Sequence, residues 1–352
     1  MEKQIFVHKL IHWYQTYKRD LPWRHTQNPY FIWLSEVILQ QTRVKQGLPY
    51  YLRFIESFPT IELLANAEEK EVLRLWQGLG YYSRARNMHL TAKTIMKDYG
   101  GEFPKQYQEL LKLKGIGTYT AAAIASFAFN EKAAVLDGNV FRVLARVFGV
   151  ETDISSHEAK KVFSALAANL LPDEQTDVYN QAIMEFGAVQ CTPHVPDCMF
   201  CPLNFTCVAN LTGRQGSLPV KSKKAKVKQR FFHYFVIRRG DEFYMKERQE
   251  KDIWSGLYDF YLREAAQLQT LEELTENEGI ATLLKTGLVE EESRIFTHVL
   301  THQRIQVKFW HLHLPEEIFH SFLASESFYT IDEIKQLPKP ILIANYLNSH
   351  FF

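Results

Sequence analysis

Apolar residues recur at helical spacing through the first two thirds of the chain and at strand spacing in the last third. Ile5, Phe6, Leu10, Ile11 and Trp13 predict an amphipathic helix over 2–17, which Leu21-Pro-Trp-Arg24 breaks and Asn28-Pro29 turns. A second helix runs from Tyr30 to about Thr42. Further helices are predicted over 44–57, 60–66, 68–77, 84–98, 106–113, 118–129, 139–148, 156–170 and 174–188. Strand signals are nearly absent up to residue 210, so this part is predicted to be all-α. From Phe231 the period changes. Phe232–Ile237, a turn at Gly240-Asp241 and Glu242–Met245 form a hairpin pattern. A stretch over 253–261, a helix near 269–278 and strands at 294–300 and 303–313 complete an α+β domain.

At 352 residues the chain is long for one domain, and the change of period divides it. The expected layout is an all-α domain over 1–211, a linker over 212–230 and an α+β domain over 231–352. A hydrophobic share of 46% with 23% charged residues describes an ordinary globular protein. The net charge of +1 conceals an asymmetry. Residues 1–230 carry 29 Lys and Arg against 21 Asp and Glu, while residues 231–352 carry 12 against 19. The basic front part is therefore expected to meet a polyanion. No signal-peptide layout and no apolar run near the ~20 residues of a membrane span are visible, so a cytoplasmic protein is expected.

Several interruptions of the apolar pattern carry chemistry. Leu111-Lys-Leu-Lys-Gly115-Ile-Gly117-Thr118-Tyr119 joins two helices through a tight turn. Bare amides at the start of the second helix suit a phosphate oxygen, although a plain helix–helix turn gives the same letters. Leu136-Asp137-Gly138-Asn139-Val140 places an acid just beyond an apolar stretch. Glu36 stands alone among apolar neighbours, so it either faces a cleft or pairs with a cation; buried unpaired, its pKa would rise. Gly78-Leu-Gly80-Tyr81-Tyr82-Ser-Arg84 offers an aromatic to wedge into a base stack, with Arg84 and Arg86 for phosphates. The four cysteines, Cys191-x6-Cys198-x2-Cys201-x5-Cys207, must converge on zinc or an iron–sulfur cluster. One knuckle flanked by single cysteines favours a [4Fe–4S] cluster in a structural role. The basic run Lys221–Arg230 could track a nucleic-acid backbone.

Together these motifs resemble the MutY adenine DNA glycosylases of the endonuclease III-like superfamily, over nearly the whole chain. They comprise the helix-hairpin-helix at 111–121, Leu136–Val140, Ser35-Glu36-Val-Ile-Leu-Gln40-Gln41-Thr42 and the cysteine loop 191–207. The resemblance implies a multi-domain fold: a helix-hairpin-helix glycosylase domain with one [4Fe–4S] cluster on Cys191, Cys198, Cys201 and Cys207, and a C-terminal Nudix-like domain. It implies excision of adenine mispaired with 8-oxoguanine or guanine, the base being flipped out of duplex DNA first. Glu36 matches the general acid that protonates adenine N7, and Asp137 the carboxylate that stabilises the sugar cation, with Tyr119 and Asn139 ordering the pocket. Gln41 and Tyr81 match residues that fill or wedge the stack, and Trp23 and Arg24 match the adenine side. Gly115, Gly117, Thr118 and Arg84 are expected on the DNA backbone.

Tyr119 occupies the position where bifunctional relatives carry a Schiff-base lysine, which implies a monofunctional glycosylase; Lys112 and Lys114 stand nearby. Trp254–Phe260 matches the Nudix-like domain, without the glutamate-rich hydrolase signature expected after Gly256. Phe296-Thr297-His298 matches a Phe-Ser-His loop that reads 8-oxoguanine, with Thr297 for serine. Gln181 stands where the family often has glutamate. A monomer in the cytoplasm, near the nucleoid, is expected, with replication or repair factors recruited through the linker. Three other readings are an endonuclease III-like lyase, a non-catalytic iron–sulfur DNA-binding module and a Nudix hydrolase with a helical appendage.

Overall fold

The computed structural model describes residues 2–222, 227–315, 323 and 327–351. The centre of the basic linker, 223–226, on which the expected backbone tracking and partner recruitment fall, lies outside the described residues. In chain order the helices are α1 (Lys3–Tyr17), α2 (Pro29–Leu39), α3 (Val44–Ser57), α4 (Ile61–Asn66), α5 (Glu69–Leu75), α6 (Ser83–Tyr99), α7 (Tyr107–Leu110), α8 (Thr118–Phe129), α9 (Gly138–Phe148), α10 (His157–Leu170), α11 (Thr176–Glu185) and α12 (Val208–Leu211). A 3-10 turn covers Pro22–Arg24, and a π turn, Phe186–Gln190, follows α11. The chain then forms β1 (Lys228–Arg239), β2 (Glu242–Tyr244), β3 (Lys246–Glu247), β4 (Tyr258–Asp259), β5 (Tyr261–Ala265), α13 (Leu271–Leu274), α14 (Glu278–Thr286), β6 (Leu288–Glu292), β7 (Phe296–Val299), β8 (Gln303–His313), β9 (Phe328–Thr330), α15 (Ile331–Gln336) and α16 (Ile341–His350).

Two compact units result. One holds Met1–Ala67 with Asn87–Lys223, the other Glu68–Arg86 with Lys224–Phe352. Residues 68–86, read from sequence as part of a continuous helical domain, pack with the sheet-bearing unit.

In the first unit α8 is apolar on every side: Thr120 to Ser126 are all buried, which marks a central helix. Around it Phe6, Leu10, Val143, Leu144, Phe163, Ile183 and Phe186 form one core. The helix starts are set by local chemistry. Asn28 caps α2 by accepting from the Tyr30 amide, with Pro29 at the first position, where a missing N–H costs nothing. Asp137 caps α9 by accepting from the Val140 amide, and Gly149 ends that helix in the left-handed region.

In the second unit β1 and β8 run parallel at the sheet centre, in the order β6-β8-β1-β2-β9, with β5 also on β1 and β7 also on β8. Ile305, Val307 and Phe309 alternate inward along β8. Phe235, Ile237, Ile280, Leu283, Trp310 and Leu312 fill the space between sheet and helices. Here the sequence pattern was least complete. The helix expected near 269–278 shortens to α13, and the acidic strand β6, helix α14 and the last two helices have no counterpart in that pattern. Among the described residues no helix is long and apolar enough to cross a membrane.

Candidate active site

Glu36 lies on the buried side of α2, with 7% of its surface exposed. Its Oε2 accepts a 2.6 Å hydrogen bond from the Tyr119 hydroxyl on α8, which also contacts the Met184 sulfur at 3.7 Å. Burial pushes the Glu36 carboxyl up to about 7; the Tyr119 bond opposes this, the charge of Asp137 adds to it, and Arg24 opposes it. A carboxylic acid that keeps its proton near neutrality is what a proton donor to a leaving group requires. Trp23, Arg24, Thr26, Ile32, Ser35, Phe127, Gln181 and Met184 join Glu36 around a narrow cavity of about 50 Å³.

The second acid is organised differently. Asp137 is the N-cap of α9, so the helix start points its amides and positive dipole end at the carboxylate. Oδ1 accepts from the Val140 backbone amide at 2.8 Å and Oδ2 from the side-chain Nδ2 of Asn139 at 2.7 Å. Burial raises the Asp137 pKa, while these donors and Arg142 hold it down. Asn139 is itself fixed: its Oδ1 accepts from Arg142 Nη2 at 2.8 Å, and Arg142 Nε donates to the Cys191 carbonyl at 2.7 Å. A Cβ at Gly187 would stand 2.6 Å from Asn139 Cβ, so glycine there lets the π turn close on this network. Replacing Arg142 by Met leaves the Cys191, Gly187 and Asn139 acceptors without their donor. We expect unfolding measurements to show a loss of about 2–4 kcal/mol.

The hairpin before α8 is built as its letters suggest. Gly115 has φ +78°, and a Cβ there would meet Asn87 Cβ at 2.8 Å, so no other residue fits without a shift. Gly117 and Thr118 are exposed at the start of α8, where amides have no intrahelical partner. Ile116 anchors the turn in the core. Gln41 is exposed just past α2, at φ 54°. Trp23 packs edge-on against Tyr51.

In the second unit Tyr81 is 40% exposed in a left-handed conformation, and its hydroxyl donates to Thr301 Oγ1. Thr297 is exposed on β7, and Phe296 packs edge-on against Phe309. His298 faces Trp254 with its Nε2 buried and unpartnered, and burial lowers its pKa. Tyr81, Arg86, Trp254, His298 and Thr301 share a hollow of about 500 Å³. Arg84 is a correction. It was expected on a phosphate, but it is buried over the Trp76 ring and donates to the Leu79 and Gly80 carbonyls. It holds the glycine turn, leaving Arg86 as the turn's more accessible cation.

The four cysteines are free thiols in one neighbourhood, each near enough to act on Cys201 by its charge. Cys191 Sγ accepts from Arg146 Nη1 and Cys201 Sγ from the Leu203 amide, both at 3.4 Å. Such donors favour thiolate sulfur and suit an anionic cluster. Burial pushes the Cys201 thiol up to about 12, so ligation would trade a proton for the metal. Among the described residues no three His, Cys, Asp or Glu side chains stand in metal-holding geometry.

Sequence reasoning missed three parts of the site: Arg142, the wall residue Met184 and the buried carboxylate Glu185. The last had a readable signal, an isolated acid in the apolar run Ala182-Ile-Met-Glu-Phe186, the same signal that singled out Glu36.

Residues 34–168 match the family model described as HhH-GPD superfamily base excision DNA repair protein, and residues 233–349 match the NUDIX domain model. The chain is 36% identical over 261 residues to an adenine DNA glycosylase of Buchnera aphidicola subsp. Acyrthosiphon pisum, covering 74% of this chain and 75% of that one. Among solved structures, a thermostable thymine-DNA glycosylase aligns with a TM-score of 0.55 and 29% identity, over 60% of this chain and 97% of that one. An endonuclease III bound non-covalently to DNA shares the fold, with a TM-score of 0.52 and 23% identity over 60% of this chain and 98% of its own. The helical unit has counterparts among base-excising enzymes, and the chain belongs to the adenine DNA glycosylase family of base excision DNA repair.

Proposed function

We propose that the adenine removed is the one mispaired with 8-oxoguanine, or with guanine, in duplex DNA, and that the enzyme is monofunctional. The observation that carries the chemistry is the Tyr119–Glu36 pair, a buried acid poised to give up its proton near neutral pH. Glu36 protonates adenine N7, so the C1′–N9 bond breaks with its electron pair going to a neutral base. The sugar cation left behind faces the Asp137 carboxylate, fixed by the Val140 amide and Asn139. Water adds to C1′, its proton returns to Glu36, and an abasic site remains. With a tyrosine at 119, no amine stands at that point to form a Schiff base. The exposed amides of Gly117 and Thr118 supply a sequence-independent phosphate grip.

The 8-oxoguanine preference is supported by the second unit: Thr297 exposed on β7, the unpartnered His298 Nε2, and Tyr81 available as a wedge. The test compares adenine release opposite 8-oxoguanine, guanine and thymine. Thr297→Ala is expected to lower the preference for 8-oxoguanine over guanine several-fold with excision itself intact. Equal rates opposite all three bases would contradict this reading. We further propose one [4Fe–4S] cluster on Cys191, Cys198, Cys201 and Cys207. When bound it would tie the loop from 191 to 207 into one piece behind Arg142; the chain's own part is to supply four thiolates and the Arg146 donor.

A further inference from the structure

Glu185, the last residue of α11, has a side chain 1% exposed, deeper than either guanidinium it binds. Oε1 accepts from the Arg19 amide at 3.0 Å and Arg19 Nε at 2.7 Å. Oε2 accepts from Arg19 Nη2 at 2.6 Å and Arg24 Nη2 at 2.7 Å. Arg24 is pinned further by its Nη1 bond of 2.8 Å to the Arg19 carbonyl, and it lies over the Tyr14 ring. Of the two arginines only Arg24 lines the cavity of Glu36. A buried ion pair of this kind is weak evidence for stability, since apolar residues of like volume often do as well. Retaining it at a pocket wall calls for a reason of geometry.

We propose that Glu185 is a positioning residue: it fixes the Arg24 guanidinium at the pocket wall and neutralises it there, so that Glu36 keeps its proton while the base is held. This rests on Glu36 serving as the proton donor. The charged and titratable groups acting on Glu36 are Tyr119 from α8, Asp137 from the start of α9 and Arg24 from the 3-10 turn; Gln181 and Met184 of α11 are neutral. Burial alone would raise Glu185, yet the bonds from Arg19 and Arg24 hold it at about 2, so it stays ionised through the working range. With Glu185 neutral, the positive charge of Arg24 is uncompensated and favours the Glu36 carboxylate. The Glu36 pKa then falls, and the alkaline limb of the rate moves to lower pH.

The test uses the full-length protein in four forms: wild type, Glu185→Gln, Glu185→Asp and Arg19→Gln. Two readouts are taken, the Glu36 carboxyl titration by carbon-13 NMR and single-turnover adenine release against pH. Glu185→Gln is expected to shift the titration and the alkaline limb down by about half a unit or more, and to slow release about tenfold at neutral pH. Arg19→Gln lowers the melting temperature and leaves the titration in place, because Arg24 keeps its partner. Should Glu185→Gln fail to fold, Glu185→Asp, which keeps the charge and withdraws its reach, is expected to slow release. A folded Glu185 variant with the wild-type titration and rate overturns the proposal, as does an equal shift in Arg19→Gln. Absence of release by wild type would instead overturn the catalytic reading, and the NMR titration, which needs no substrate, distinguishes the two failures.

Discussion

Glu36→Gln is expected to lower adenine excision by roughly 10²–10⁴-fold, the range spanned by positioned proton donors, while making the protein more stable at alkaline pH. The two effects share one cause. Glu36 titrates at about 7 when folded, against an ordinary 4.5. Between those values the folded protein holds a proton that the unfolded chain has released, so stability falls as pH rises through this window. Above it the folded state carries the full cost of a buried charge, and an amide removes that cost. Glu36→Gln therefore unfolds later than wild type at alkaline pH, by about 3 kcal/mol, and behaves like wild type at acid pH. The amide oxygen still accepts from Tyr119, so the pocket wall is kept. Wild-type excision falls as pH rises past about 7, because the acid form is the working one. Thermal melts and single-turnover rates across pH check both halves. A variant that is inactive but not stabilised at alkaline pH would show that Glu36 is not buried as a neutral acid.

Asp137→Asn separates charge from shape at the second carboxylate. Asparagine caps helices about as well as aspartate and can still accept from the Val140 amide, but its Nδ2 then meets Asn139 Nδ2 donor to donor, so the fold is expected to hold at a cost of about 1–3 kcal/mol. What disappears is the negative charge facing the sugar. The expected loss in turnover is roughly 10²–10³-fold, the size seen when one preorganised electrostatic contact to a transition state is removed. Binding to duplex DNA, measured separately, should change little if the hairpin amides hold the backbone as proposed. A variant as active as wild type would remove Asp137 from the chemistry.

Both acids could be picked out of the sequence for physical reasons. Glu36 is one charge in an apolar helix, and such a residue either faces a cleft or pairs with a cation. Asp137 precedes Gly-Asn at a helix start, where a carboxylate meets free amides. The glycine hairpin was legible too, because left-handed backbone at Gly115 requires that residue type. What sequence could not show depends on distant pairings. Arg142 bridges to Cys191, and Glu185 to Arg19 and Arg24, across more than a hundred residues in the second case. Arg84 looked like a phosphate ligand until Trp76 and the Gly80 turn were seen to bury it. Strand β6 hides in a run of glutamates that face outward, with only Val289 partly covered, so no alternation marks it. The assignment of residues 68–86 to the sheet-bearing unit likewise depends on packing that no local pattern encodes.

The most direct test of the account is a single-turnover reaction on a duplex with adenine opposite 8-oxoguanine, with products resolved before and after alkali. The account predicts free adenine from wild type, strand breaks only after alkali, and both products formed roughly 10²–10⁴-fold more slowly by Glu36→Gln. Strand scission without alkali, or full activity in Glu36→Gln, would contradict it.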